Sequence, residues 1–298
     1  MRITAAIFLM FGLGIISFRC RKETLSRIPD DLTHPDSSYL PLIFLCGQSN
    51  MEGVPLGTAQ VPDQFKNSIP NAYIFYKSSN TNENDGYVDT LKYGVNNNWR
   101  NAANNFGPEE GIGYYLTQAG HKVGIVKYAY GGSKLCYEGV PSPNGCWQVN
   151  ASDSFNQYRI LINNWAGQSL SAFKKAGFKP YIAAFVWCQG EADAHENNAA
   201  NDYQKTLTDL LNNFKKDLQA KDSFVNNMRV IITRTRDSYP FSTNVRNAQV
   251  NIGNTYQNAY WIDADTWPLL QDNIHYTPNT EAMLHGKAIA DILTKVIP

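Results

Sequence analysis

Apolar runs without internal alternation recur along this chain, and they constrain its fold more than any other feature. Tyr39 to Cys46, Val123 to Tyr128, Tyr181 to Trp187 and Met228 to Thr233 are strand-length stretches dominated by apolar residues. A strand with one wet face alternates apolar and polar residues; one that does not alternate is covered on both faces. Helical patterns at 109–119, 154–176, 202–220, 243–256 and 281–296 separate or follow these runs. Short strands are expected at 72–76 and 260–263. Strands alternating with helices predict an α/β fold, a parallel sheet with helices on both faces. No internal repeat interrupts the pattern.

The chain has 298 residues, enough for one large domain or two small ones. Charged residues make up 17% and aromatic residues 12%, so the bulk of the chain is expected to be ordered. The formal net charge is zero, which argues against a nucleic-acid partner.

At the N-terminus Arg2 precedes an apolar run from Ile3 to Phe18. That length fits the apolar core of an export signal and is short for a membrane span of about 20 residues. Arg19, Arg21 and Lys22 follow, and Cys20 invites lipid attachment, although Arg19 stands where a small residue is expected. The expectation is a signal or anchor at 1–20, a polar linker at 21–38 and a folded domain at 39–298. Export follows, with membrane attachment only through the N-terminus. Of five cysteines, Cys46 and Cys188 end apolar runs and read as buried thiols. Cys136 and Cys146 bracket a Gly- and Pro-rich loop and could pair in an exported protein, which would contribute about 2–3 kcal/mol by loop closure. No C-x-x-C occurs, so a zinc ribbon is excluded.

Every polar motif sits just after a strand or before the last helix. Gly47-Gln48-Ser49-Asn50-Met51 follows the first strand, where α/β proteins gather their active sites. A serine hydroxyl is a weak nucleophile until a base takes its proton. His275 is the candidate base, and Asp272 could hold its tautomer. Met51 stands where the G-x-S-x-G elbow requires glycine, so the ordinary lipase fold is disfavoured. For a developing oxyanion the candidate donors are the Ser49 N–H, the Gly132 N–H and the Gln189 side-chain amide.

Four blocks together resemble the SGNH hydrolases, in particular the sialate O-acetylesterase and carbohydrate esterase family six branch. They are Gly47-Gln48-Ser49-Asn50-Met51, Gly131-Gly132-Ser133, Trp187-Cys188-Gln189-Gly190-Glu191-Ala192-Asp193 and Asp272-Asn273-Ile274-His275. The resemblance spans about 40–290. It implies a flavodoxin-like, three-layer α/β/α fold and a serine esterase that removes O-acetyl groups from carbohydrates through an acyl-enzyme. It implies Ser49, Asp272 and His275 as the triad, with Gly132 and Gln189 as oxyanion donors. Gln48, Asn50, Glu191 and Arg246 are expected to support these residues without touching substrate, Arg246 in a structural ion pair. Phe106-Gly107-Pro108-Glu109 also matches a family segment. Cys188 departs from the family pattern, where histidine is common, and could alter substrate contacts.

The expected partner is an acetylated saccharide, and no metal or organic cofactor is implied. His34, His121, His195 and His285 have no partner at ligand spacing and read as surface or structural. Asp193 and Asp202 read as solvated. Trp99, Trp147 and Trp267 are candidates for sugar stacking, with core packing an equal alternative. Two rival functions remain: an idle carbohydrate-binding protein on the same fold, and a lipid- or thioester-directed hydrolase, which would need an apolar acyl groove where residues 77–105 are polar.

Overall fold

A sheet of seven strands forms the centre of the molecule, in the order β4-β3-β6-β1-β7-β8-β9. The computed structural model describes residues 35–55, 61–77, 86–93 and 105–298. The readings placed on residues 1–34 (export signal, Cys20, His34 and most of the linker) lie outside the described residues, as does Trp99. The strands are β1 (Leu40–Gly47), β3 (Ala72–Tyr76), β4 (Tyr87–Thr90), β6 (Val123–Ala129), β7 (Pro180–Cys188), β8 (Arg229–Thr233) and β9 (Ala259–Ile262). A separate two-residue pair, β2 (Val54–Pro55) with β5 (Asn105–Phe106), is antiparallel. All neighbours in the main sheet run parallel except β3 and β4.

The non-alternating runs behave as expected. All residues of β1, β6 and β7 are buried, because helices cover both faces of the sheet. Each fully buried Leu, Ile or Phe here contributes about 1.5–3 kcal/mol. Phe44, Phe185, Trp187 and Val230 pack on one face with Trp165, Leu207 and Phe214. Ile43, Leu45, Ile125 and Val186 pack on the other with Ile112, Leu116 and Ile289.

The helices are α1 (Ser49–Glu52), α2 (Pro108–Gln118), α3 (Gln157–Ile160), α4 (Gly167–Lys175), α5 (Asn197–Leu218), α6 (Ser242–Thr255) and α7 (Lys287–Leu293). The helix expected over 154–176 is α3 and α4 joined by a π-helical stretch, Leu161–Ala166. The terminal helix likewise opens with π-helical turns at Thr280–Gly286 before α7. Helix α5 begins at Asn197, earlier than the expected 202, because Ala199 and Ala200 extend its buried face.

Strands β6-β1-β7-β8-β9 reproduce the 2-1-3-4-5 order of flavodoxin-like sheets, and β3 with β4 is an addition on the β6 edge. The chain leaves β1 toward β6 on one side and returns to β7 on the other. The crevice of such a sheet opens at the carboxyl end of β1, and Ser49 stands there. No helix among the described residues is long and apolar enough to cross a membrane.

Candidate active site

The site is assembled by the turn that follows β1. Gly47 has φ 144°, and a methyl group on it would come within 2.0 Å of the Cys188 carbonyl oxygen. Only glycine lets β1 run this close to the end of β7. The Gln48 N–H then donates to the Cys188 carbonyl at 2.9 Å, and the chain turns into α1. Ser49 is its first residue, so its N–H has no intrahelical acceptor.

The residues around Ser49 each hold a different loop. Gln48 Oε1 accepts the N–H groups of Gly190 (3.3 Å) and Ala192 (3.4 Å), behind β7. Glu52 Oε2 accepts the Gly131 N–H at 2.6 Å, behind β6. Asn50 reaches the segment behind β9: Nδ2 donates to the Ile274 carbonyl at 3.2 Å and Oδ1 accepts the Tyr276 N–H at 3.2 Å. One amide thus clasps the backbone on both sides of His275. Asn50 Nδ2 also donates to Glu191 Oε1 at 3.0 Å. Burial raises the Glu191 carboxyl above its usual range, while bonds within its own residue and from Asn50, with the nearby His275 charge, oppose the rise.

The Asp272–His275 turn is built around one carboxylate. Asn273 takes the left-handed conformation at φ 57°, a region that asparagine tolerates. This folds Asp272 back on the chain, where Oδ1 accepts the N–H groups of Ile274 (2.9 Å) and His275 (3.0 Å). Asp272 Oδ2 meets His275 Nδ1 at 2.7 Å. A carboxylate can only accept, so Nδ1 carries the proton and Nε2 is left as the base. Desolvation pushes the Asp272 carboxyl up, yet the bonds from His275 and Ile274 outweigh it and bring the group down to about 2.

Ser49, Gly132 and His275 line one cavity of about 760 Å³. Glu52, Lys134, Asn144, Glu191, His195 and Tyr239 line it too. Gly132 stands at φ 71°, and no acceptor for its N–H occurs among the described residues. Lys134 pairs with Glu138 at 2.6 Å. The ring centroids of His195 and Tyr239 lie 4.2 Å apart, with the planes tilted by 49°. Among the described residues no group of three or more His, Cys, Asp or Glu side chains is disposed to hold a metal ion.

Several expectations need correction. Gln189 was expected to aim its amide at an oxyanion. It is 1% exposed and not on the cavity wall. Its Nε2 donates instead to Asp193 Oδ2 (2.5 Å) and the Ser133 carbonyl (3.1 Å). Asp193 is fully buried rather than solvated, and accepts the N–H groups of Leu135 and Cys136 at 2.8 Å. The pair therefore braces the loop that carries Gly132. Cys136 and Cys146 do not pair: both are free, buried thiols. Cys136 Sγ turns toward the Ala199 carbonyl, 3.3 Å away on α5. Burial pushes the Cys146 thiol up to about 12 and Cys136 higher still. Cys188 packs into the core rather than the cavity, and burial raises its thiol strongly.

Trp147 is fully buried and donates to Ser133 Oγ at 2.8 Å, and Trp267 packs on Tyr276 and His285. Neither lines the cavity. Arg246 forms the expected ion pair, a two-pronged bridge to Asp265 at 2.7 and 2.8 Å. His285 is structural, buried against Thr233 and Glu281. Glu52, Asn144, His195 and Tyr239 are cavity residues the sequence reading missed. Glu52 follows the Gly47–Met51 block directly, and its place there was the one signal for it.

A flavodoxin-like sheet with this crevice and these four loops defines the class: an SGNH-like esterase. Solved structures agree in fold. One, of a protein from Arabidopsis thaliana, is 18% identical with a TM-score of 0.62, over 87% of this chain and 99% of that one. Another, the crystal structure of NanS, is 15% identical with a TM-score of 0.61, over 89% and 98%. No curated protein matches the sequence significantly. The family described as "Carbohydrate esterase, sialic acid-specific acetylesterase" matches residues 40–295, and the chain belongs to it. It is a carboxylic ester hydrolase of the carbohydrate-esterase kind.

Proposed function

We propose that this enzyme removes acetyl groups from a carbohydrate through a Ser49–His275–Asp272 triad. The observation that carries the reading is the 2.7 Å contact between His275 Nδ1 and Asp272 Oδ2 on the wall of the cavity that Ser49 also lines. Ser49 Oγ attacks the acetyl carbonyl while His275 Nε2 takes its proton. Charge moves to the carbonyl oxygen, which the N–H groups of Ser49 and Gly132 stabilise. His275 returns the proton to the departing sugar oxygen, leaving acetyl-Ser49. A water, deprotonated by the same imidazole, then attacks the acyl group; the Ser49 Oγ–acyl bond breaks, His275 returns the proton to Oγ, and acetate leaves. Asp272 stays ionised throughout and stabilises the imidazolium.

The family supports an acetylated saccharide as substrate, and the Glu52, Lys134, Asn144 and Glu191 side chains on the cavity wall are consistent with one. Ser49→Ala is expected to lower acetate release from an acetylated sugar by several orders of magnitude. Turnover at the parental rate by the folded variant would refute the assignment of Ser49.

A further inference from the structure

Two further cavities follow the catalytic one along the loop 134–148. The first, of about 370 Å³, shares Lys134 with the catalytic cavity. The second, of about 360 Å³, shares Cys136, Tyr137 and Glu138 with the first. Its other wall is the start of α5, with Asn198, Asp202 and Lys205. Each is at the lower end of the about 300–1,000 Å³ range of small-molecule sites.

The loop between these cavities is fixed by its own bonds. The buried Asp193 carboxylate accepts the N–H groups of Leu135 and Cys136 at 2.8 Å, and also the amide of Gln189 at the end of β7. The loop and the end of β7 thus share one anchor. The Trp147 N–H donates to the Lys134 carbonyl at 2.9 Å, and Asn156 Nδ2 to the Gln148 carbonyl at 2.7 Å. The Tyr137 N–H donates to Gln148 Oε1 at 2.8 Å, and the half-buried Tyr137 side chain accepts from Ser152 Oγ at 3.3 Å. Gln148 Nε2 meets no acceptor among the described residues, and neither does the side-chain amide of the exposed Asn198. Walls fixed in advance lower the ordering cost of binding.

An aromatic ring beside amide and carboxylate groups matches a sugar unit, which presents C–H faces and hydroxyl edges. An acyl chain there would leave the polar groups unsatisfied. The charges narrow the ligand further. Both lysines on these walls are committed to carboxylates, Lys134 to Glu138 at 2.6 Å and Lys205 to Asp209 at 2.8 Å. Glu196 and Asp202 add negative charge, and no arginine lines either wall among the described residues. A polyanionic chain would be repelled. We propose that the two cavities are binding sites for neutral sugar units of an oligosaccharide whose acetylated unit sits at Ser49. The inference rests on the acetylesterase reading of that site and adds where the rest of the substrate lies.

The test measures kcat/KM for acetate release from acetylated glucose against acetylated cellotetraose, and from acetylated xylose against acetylated xylotetraose. The tetrasaccharide is expected to exceed its monosaccharide by at least about tenfold in one series or both. Acetylated tetragalacturonate should show no such gain over acetylated galacturonate. Tyr137→Ala removes the ring, and Asn198→Arg fills the second cavity from an exposed position on α5. In both variants the gain should fall toward unity; because it is a ratio, a general loss of activity does not mimic the effect. Equal kcat/KM for monosaccharide and tetrasaccharide in both neutral series would overturn the proposal. So would a gain that both variants retain, or one confined to the galacturonate series. Acetate release from saccharides without a length effect sinks this inference alone. Release from no saccharide at all sinks the acetylesterase reading, and this inference with it.

Discussion

At the level of single residues, the site is a set of side chains with one task each. Ser49, Asp272 and His275, the triad proposed above, could be picked out as candidates from the sequence because each sits in a short polar block next to a strand or before the last helix. The role of Asn50 was legible only as a neighbour of Ser49. Its clasp on Ile274 and Tyr276 spans 224 and 226 residues, and no local pattern encodes that. The clasp predicts that Asn50→Ala will fold but leave His275 poorly placed. The expected result is a fall of about 10²-fold in kcat with little change in KM. The rate of Ser49 labelling by an organophosphate should slow in parallel, a readout that a purely structural role would leave unmoved. Gln189 shows the opposite lesson. Its position at the end of β7 was correctly read, but the direction of its amide depends on Asp193, one helical turn further on, and on Ser133, 56 residues away.

Among the elements, burial and charge are coupled most tightly where α2 meets β6. Lys127 on β6 and Glu109 on α2 are fully buried and 2.7 Å apart. Glu110 and Glu281 lie close by, and burial, reinforced by the Glu109 charge, raises both carboxyls well above their usual range. A lysine inside an otherwise apolar run is tolerated here because it is paired, and so it is part of the core. Removing one partner of a buried pair costs about 3–5 kcal/mol, because the other charge is left uncompensated. Lys127→Met is therefore expected to lose about that much stability in urea denaturation. Adding Glu109→Gln should restore a good part of it. Undiminished stability in the single variant would mean that Lys127 does not neutralise this cluster. The element boundaries were less legible than the elements. The π-helical stretches at Leu161–Ala166 and Thr280–Gly286 carry ordinary helical periodicity in sequence, and only packing exposes the extra residue in the turn.

For the molecule as a whole, the two-sided sheet supplies the stability, and the expected covalent staple is absent. Cys136 and Cys146 are separately buried thiols, with the Cys136 sulfur held against α5. The melting temperature should therefore be the same with and without a thiol reductant. A clear fall on reduction would show that the two sulfurs had been bridged. The sequence by itself determined the α/β architecture, because apolar runs of strand length without alternation, separated by helical patterns, fit strands covered on both faces of a parallel sheet. It also determined which loops meet at the cavity, since polar motifs directly after such strands all emerge at one edge of a parallel sheet. The tertiary structure decided which side chains in those loops meet. Asn50 and Glu191 are 141 residues apart in the chain and 3.0 Å apart in space. Such contacts are set by how the strands order themselves around β1, and side-chain direction at the ends of those strands follows from that packing rather than from any local run of residues.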